Sequence, residues 1–419
     1  MYKLTLVVSL VLYVYAGAVH AQTNLSQVGP LTMDDAVGIA IANNPSITES
    51  NHRLSAAGQS VLAARTLKNP RFTITPSLSG DGSDTELLIE QPLEINGTRA
   101  ARTKAEGHRY AAANADSITA IRTVVFDTKS AYLELIRSRS ELSLAQDLLI
   151  STMQFDQLTR DAVRLGSRPA IEQIQSGIEV TRAQQSVTMA QSIAEQDEAD
   201  LDTQMGQPAG SPVGALEPIP SVYPAVNLTS VLKEALNTRT DITAAAETAA
   251  ASLDDGQVIR AQGKPDLTPQ YRQTRITHGP HDGGFGIALT LPLIDYGSRR
   301  HLLQQNNDIS KALMSRADTL RAQAEDDVER AVAKVRSADS ILQDYPKGLL
   351  DQATELLNAS RLGYKEGKTD ITSLLEAQRT FRSVEVDYIN AKVEAARARA
   401  ELELAAGSYS VNPKWEISK

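Results

Sequence analysis

In "THGPHDGG" the chain sets His278, His281 and Asp282 within five positions, enough nitrogen and oxygen donors to begin a divalent-cation site. The same stretch supplies Gly279, Pro280 and Gly283, the residues of a reversal, so it reads as an outward-facing hairpin tip with no metal. His52, His108 and His301 stand singly. No cysteine occurs, which removes disulfides, thiolate ligands and a lipid-modified amino-terminal Cys. There is no phosphate loop, no HExxH and no spaced nucleophile–base set, so nothing points to an enzyme or a cofactor. A net charge of −9 argues against a nucleic-acid partner. The polar residues left to explain crowd two tight reversals. Arg168 and Glu172 follow Gly166 in "VRLGSRPAIEQIQ", and Tyr364 and Glu376 flank Gly367 in "GYKEGKTDITSLLEAQ".

These two reversals are copies of each other. "QPLEINGTRA" and "LPLIDYGSRR" align without a gap, Pro92 with Pro292, Gly97 with Gly297 and Arg99 with Arg299, at an offset of 200. Earlier segments, such as "AIANNPSITES" and "ALNTRTDITAA", match at an offset of 195; Gly166 and Gly367, like Gly206 and Gly407, match at 201. Ordered agreement at several landmarks means a duplicated chain, with an insertion between Pro265 and Leu291. The organisation follows: 1–21 a signal peptide, 22–210 a first repeat, 211–227 a linker, 228–407 a second repeat and 408–419 a tail.

Each repeat reads alike. A short helix starts near Thr32, boxed by Asp35, and again near Thr229. A second helix covers about 45–67 and 240–261. A β-hairpin follows, about 71–95 and 266–294, in which Phe72 and Ile74, Leu87 and Ile89, and Phe285, Ile287 and Leu289 alternate with small or polar residues; "LTPQYRQTRITH" is the weakest strand. Then comes a long helical hairpin, 98–206 and 298–406. Its first arm, 98–164, would span roughly 100 Å, longer than any globular core covers. In 370–406, Val386, Ile389, Val393, Ala396 and Ala400 make one apolar line, and Leu374, Phe381, Tyr388, Ala395 and Leu402 another, so this helix expects neighbours on two sides. Pro346 must kink its helix.

The run from Leu4 to Ala18 is shorter than the ~20 residues a bilayer needs, and Val19-His20-Ala21 fits a cleavage site; an uncleaved membrane helix is the alternative. Four amphipathic strands cannot close a membrane barrel, whose smallest form has about eight. Three copies would supply twelve, with the long helices continuing as a ring below. A soluble periplasmic coiled-coil scaffold is the competing class, but it gives no reason for apolar alternating strand faces.

"LTMDDAVGIAIANNPSI", "KNPRFTI", "EQPLEINGTRAAR", "LPLIDYGSRR" and "GYKEGKTDITSLLEAQRTFRSVEVDY" resemble the TolC-like outer-membrane efflux family, over essentially Leu31 to Gly407. Within it, "QPLEINGTRAAR" and "YPKGLLDQA" are most similar to the outer components of cobalt-zinc-cadmium type heavy-metal efflux systems. The resemblance implies a mainly α fold with a small β part: four transmembrane strands per subunit, and a twelve-stranded barrel and helical tunnel completed as a homotrimer. It implies the outer membrane of a Gram-negative bacterium, contact with outer-membrane lipid, a periplasmic adaptor and an inner-membrane pump, proton-driven or ATP-driven. It further implies a ring at the tunnel mouth from Glu172 and Gln175 in the first copy and Ser373 and Glu376 in the second, only half of them acidic. The adaptor would dock at Leu165, Gly166, Ser167, Glu366, Gly367 and Lys368. Arg168 and Tyr364 are the expected tethers to an acidic residue of the neighbouring hairpin. Multidrug export and type I protein secretion share this architecture.

Overall fold

The computed structural model describes residues 30–76, 85–274 and 282–408. The expected signal segment, His278, His281, the turn at 80–84 and all but the first residue of the tail lie outside them. Asp282 is inside, and it opens a strand.

The chain builds one motif twice. In the first copy α1 (Met33–Asn43) and α2 (Pro45–Arg65) lead into β1 (Arg71–Thr75) and β2 (Glu86–Glu90), then α3 (Thr98–Arg164) and α4 (Ala170–Gln204). In the second, α5 (Leu228–Thr238) and α6 (Thr240–Ala261) lead into β3 (Asp266–Thr274) and β4 (Asp282–Thr290). There α7 (Ser298–Asp344), a π-turn (Tyr345–Leu349), α8 (Leu350–Lys365) and α9 (Ile371–Ala406) complete it. The caps explain the ends. Thr32 and Asp35 form the expected capping box on α1, and α5 begins next to the expected Thr229, capped by Asn227, whose side chain accepts from Thr229 N. Gly97 and Gly297 both start a long helix with φ near +90°, at 88° and 85°, a left-handed backbone that suits glycine.

The π-turn accounts for the growth of the offset from 200 to 201. Buried Val124, Thr128, Tyr132, Leu135 and Ser138 of α3 recur two hundred residues on as buried Ala324, Val328, Val332, Val335 and Ala338 of α7. Beyond the turn, Thr152 and Asp156 correspond to Ala353 and Leu357, two hundred and one residues on and again buried. A π-turn holds one residue more than an α-turn. Gly348, at φ 136°, and Pro346 open it, where α3 runs on unbroken for 67 residues.

The four strands make one antiparallel sheet in the order β1-β2-β3-β4. The regular strands β2 and β4 stop at Glu90 and Thr290, short of the alternation; Gln91 N and Leu93 N still reach the Pro269 and Leu267 carbonyls at 3.0 and 3.2 Å, but Pro269 has no N–H to return. The register puts Phe72 opposite Ile89, Ile89 opposite Tyr271 and Tyr271 opposite Phe285, and likewise Ile287 opposite Pro269 and Leu289 opposite Leu267. One face is therefore mostly apolar across the sheet, with Gln273 opposite Leu87 its polar exception, and Phe285 is 91% exposed on it. The other face carries Thr73, Gln270 and the Arg272–Glu86 ion pair at 2.7 Å. β3, the weakest strand by composition, spans nine residues, all nine paired with β4 and five of them also with β2. Among the described residues no helix is long and apolar enough to cross a membrane.

Below the sheet α9 buries two stripes. Ala395, Ala398 and Leu402 meet Val328, Val332 and Val335 of α7, and Val393 meets Leu133 of α3. The linker threads between the repeats on Tyr132, whose hydroxyl donates to the Leu31 carbonyl at 2.7 Å and accepts from Glu217 N at 3.0 Å.

The first strand exit carries a buried acid. Glu94, at φ 51°, has a side chain 1% exposed, held by Arg102 at 3.1 Å and Lys68 at 3.3 Å. Burial pushes its pKa up, but the Arg102 hydrogen bond and the two cations outweigh that and hold it below the usual carboxylate value. A lowered folded pKa gives stability that is present above the unfolded value and lost as pH falls. Melting in detergent should therefore drop below about pH 4 in the wild type. Glu94→Gln should already have lost about 1–2 kcal/mol at neutral pH, the cations being partly in water, and should respond less to acid.

Candidate functional site

The far ends of the two helical hairpins lie side by side. Each reverses on a left-handed glycine, Gly166 at φ 72° and Gly367 at φ 74°. Ser167 N reaches the Ala162 carbonyl at 2.9 Å, and Lys368 N reaches that of Gly363 at 2.8 Å. Pro169 precedes α4, and Asp370 caps α9.

Between the reversals three of the expected gate residues meet. The Tyr364 hydroxyl donates to Glu172 Oε2 at 2.7 Å. Arg168 Nη2 donates to the carbonyls of Tyr364 at 2.7 Å and Thr369 at 3.3 Å. Its guanidinium lies 4.4 Å from the centre of the Tyr364 ring, and its Nη1 is 3.7 Å from Glu172 Oε1. The first hairpin thus grips the second inside one chain. The cluster is dry: Tyr364 and Glu172 are buried, with the Phe155 ring edge-on to Tyr364 at 5.0 Å and Leu357, Ile371, Leu374 and Ala377 around it. Burial, and then the Glu172 carboxylate, hold the Tyr364 hydroxyl above the ordinary phenol range against the Thr159 hydrogen bond, so it stays a donor.

The other three expected gate residues stand apart from this cluster. Ser373 donates both its backbone N–H, at 3.0 Å, and its hydroxyl, at 2.7 Å, to Asp370 Oδ1, which makes it part of the α9 cap. That hydroxyl bond leads in holding the Asp370 carboxyl below its ordinary value. Glu376 is exposed on α9, and Gln175 is half-buried on α4. The six expected docking residues all sit on the two reversals and are exposed, Leu165 by 80%. Lys368 and Glu366 pair with each other at 2.5 Å.

Sequence reading missed the polar residues beneath. Asp156 is buried and accepts from Ser176 Oγ at 2.7 Å and Arg160 Nε at 2.7 Å. Thr159 lies 3.4 Å from the Tyr364 hydroxyl. The spacing of Asp156 and Arg160, one helical turn apart, was the available signal. Lower on the rods Arg379 joins Glu179 at 3.2 Å, and Arg361 bonds Ser151, both between the two hairpins. Among the described residues no group of three or more His, Asp or Glu could hold a metal ion. The site is a clasp between the two helical hairpins of one chain.

Comparison with known proteins agrees with that geometry. The family model described as "Outer membrane efflux protein" matches residues 36–207 and 231–408, one stretch in each repeat. The chain is 25% identical over 405 residues to the cobalt-zinc-cadmium resistance protein CzcC of Cupriavidus metallidurans, covering 90% of each. It is 22% identical over 377 residues to the pyoverdine export outer membrane protein OpmQ of Pseudomonas aeruginosa, covering 88% of this chain and 78% of that one. The solved structure of the outer-membrane channel OprN superposes with a TM-score of 0.76 at 19% identity over 90% of both chains. A duplicated rod carrying an apolar-faced sheet, matched by one family model in both of its halves, belongs to the outer membrane efflux protein family: it is an efflux channel of the outer membrane and not an enzyme.

Proposed function

We propose that three copies close a twelve-stranded barrel above a helical tunnel, and that this tunnel is a passive exit duct. The observation that carries the reading is the sheet: four strands, one face apolar except for Gln273, and two edges, β1 and β4, with no partner strand among the described residues. In hydrocarbon each unpaired edge amide would cost several kcal/mol, and a closed ring removes that cost. Reconstituted in planar lipid films the purified protein should form discrete pores and run as a trimer by native mass spectrometry; a stable monomer without pores would refute the reading.

The duct receives cargo at the hairpin tips from an inner-membrane pump, proton-driven or ATP-driven, through a periplasmic adaptor seated on Leu165, Gly166, Ser167, Glu366, Gly367 and Lys368. No nucleotide-binding or proton-relay set occurs in the chain, so the driving force comes from that pump. The clasp of Arg168, Tyr364 and Glu172 holds the mouth closed. Glu376 rings the mouth, a reading its exposure on α9 supports. Three such carboxylates ~8 Å apart would repel by roughly 2 kcal/mol per pair at an effective dielectric of about 20 and so attract cations. Divalent cations should block the wild-type pore, and Glu376→Ala should weaken that block about tenfold; equal block would remove the ring.

The cargo we propose is heavy-metal cations, supported by the likeness to the cobalt-zinc-cadmium resistance protein. The likeness to the pyoverdine exporter favours a small organic cargo as the second reading. A deletion strain challenged with zinc, cadmium, cobalt and hydrophobic drugs separates the two.

A further inference from the structure

The upper wall of the molecule runs α2, α3, α6, α7, each helix packed on the next. Its middle contact, α3 on α6, joins the long helix of one repeat to the short helix of the other. His108 Nδ1 lies 2.6 Å from Glu247 Oε2, and Nε2 lies 3.4 Å from Asp254 Oδ2. Lys104 Nζ is 3.1 Å from Asp254 Oδ1, and Arg109 Nη2 is 2.5 Å from Asp255 Oδ2. The duplication requires a second contact of this kind, α7 on α2, which one chain cannot make with itself because these helices are the two outer edges of its wall. β4 and β1, the unpaired sheet edges, lie on the same two sides.

The repeat offsets transpose the contact residue by residue. His108 becomes Asp308 and Glu247 becomes His52; Lys104 becomes Gln304 and Asp254 becomes Gln59; Arg109 becomes Ile309 and Asp255 becomes Ser60. No opposed pair sets like charges together, although the Arg109–Asp255 ion pair gives way to Ile309 opposite Ser60. The histidine–carboxylate pair survives with its two members exchanged between the long and the short helix, and the lysine–aspartate pair becomes two amides. His52 and Asp308 are both exposed, and around Asp308 only Gln304 at 3.2 Å and Lys311 at 3.9 Å approach from its own helix. Ile309, beside it, is 46% exposed.

We infer that α7 of one copy docks on α2 of a second copy as α3 docks on α6, with Asp308 set against His52. This rests on the trimer proposed above. The cysteine-free chain makes the test clean. In outer membranes, His52→Cys with Asp308→Cys, treated with a short bis-maleimide, should convert most of the monomer band into covalent dimer and trimer. His108→Cys with Glu247→Cys should link within one chain and give no ladder. A trimer by native mass spectrometry without a ladder from the 52/308 pair overturns this joint and leaves the trimer standing; a monomer overturns both. A second measurement does not depend on the cysteines. His52→Glu should raise trimer dissociation in detergent about tenfold, one pair being lost at each of three joints. Adding Asp308→His, which copies the His108–Glu247 arrangement, should restore it. Failure of that rescue would also count against the joint.

Discussion

Tyr364→Phe should raise the open fraction of the reconstituted channel by about one to two orders of magnitude. The substitution removes one oxygen and leaves the ring, so the packing against Phe155 and under Arg168 survives. What it takes away is the 2.7 Å bond to Glu172, a carboxylate only 7% exposed. A hydrogen bond to a buried charge contributes about 1.5–3 kcal/mol, and that energy belongs to the clasped arrangement alone. Converted to populations it is about a 10–100-fold shift toward the unclasped form. Arg168→Ala should go at least as far, because it releases two carbonyls and the ring face as well. Single-channel recording checks both; conductance and dwell times equal to the wild type in both variants would show that the clasp does not hold the mouth. Ser373→Ala is the control, since its hydroxyl serves the α9 cap, and it should leave gating unchanged.

The largest loss of stability should come from a glycine far from that mouth. Gly206 ends α4 at φ 67°, and a Cβ there would lie 2.5 Å from the Asn43 carbonyl oxygen and 2.7 Å from its carbon. Both obstacles are backbone, fixed by Asn44, which caps α2 and donates to the Gln204 carbonyl at 2.8 Å. A left-handed backbone costs a branched residue about 1–2 kcal/mol, and the overlap adds to it. Gly206→Val should lose at least about 3 kcal/mol and accumulate poorly in the outer membrane. Gly210→Ala is the comparison: its φ is 85°, but nothing lies within 4 Å, so it should lose only about 1 kcal/mol. Equal melting temperatures for the two variants would show that the close approach to Asn43 carries no weight. The second repeat makes the same approach at Gly407, against Arg239.

Much of this arrangement is legible in the chain because each signal is local. Gly97 and Leu165 bound α3 at the residues expected, and the two apolar lines of α9 meet two different helices. Regular strand length was overread, since Leu93 and Ile95 keep alternating after Glu90 has closed β2, with only Leu93 N still bonded to the Leu267 carbonyl. β3 was underread, because its place between two strands, not its own composition, fixes it. At the hairpin tips the chain's order sets Arg168 one turn from Glu172, yet nothing in it says that Tyr364 touches both across some two hundred positions. Duplication supplied the neighbourhood and side-chain packing the bond. The bond that Ser373 makes was missed for the opposite reason: Asp370 three residues earlier claims it locally, a capping preference that a carried-over position does not register.

The five-residue bulge at Tyr345–Leu349 has a consequence for how such a molecule can change over time. Because one surplus residue is absorbed there and the phase recovered by Ala353, the segments above and below need not keep a common count. The mouth can lengthen, shorten or be grafted from a cousin without turning the upper half out of alignment with its neighbours. A rod so spliced lets its hairpin end evolve on its own schedule, while the sheet end stays as it was.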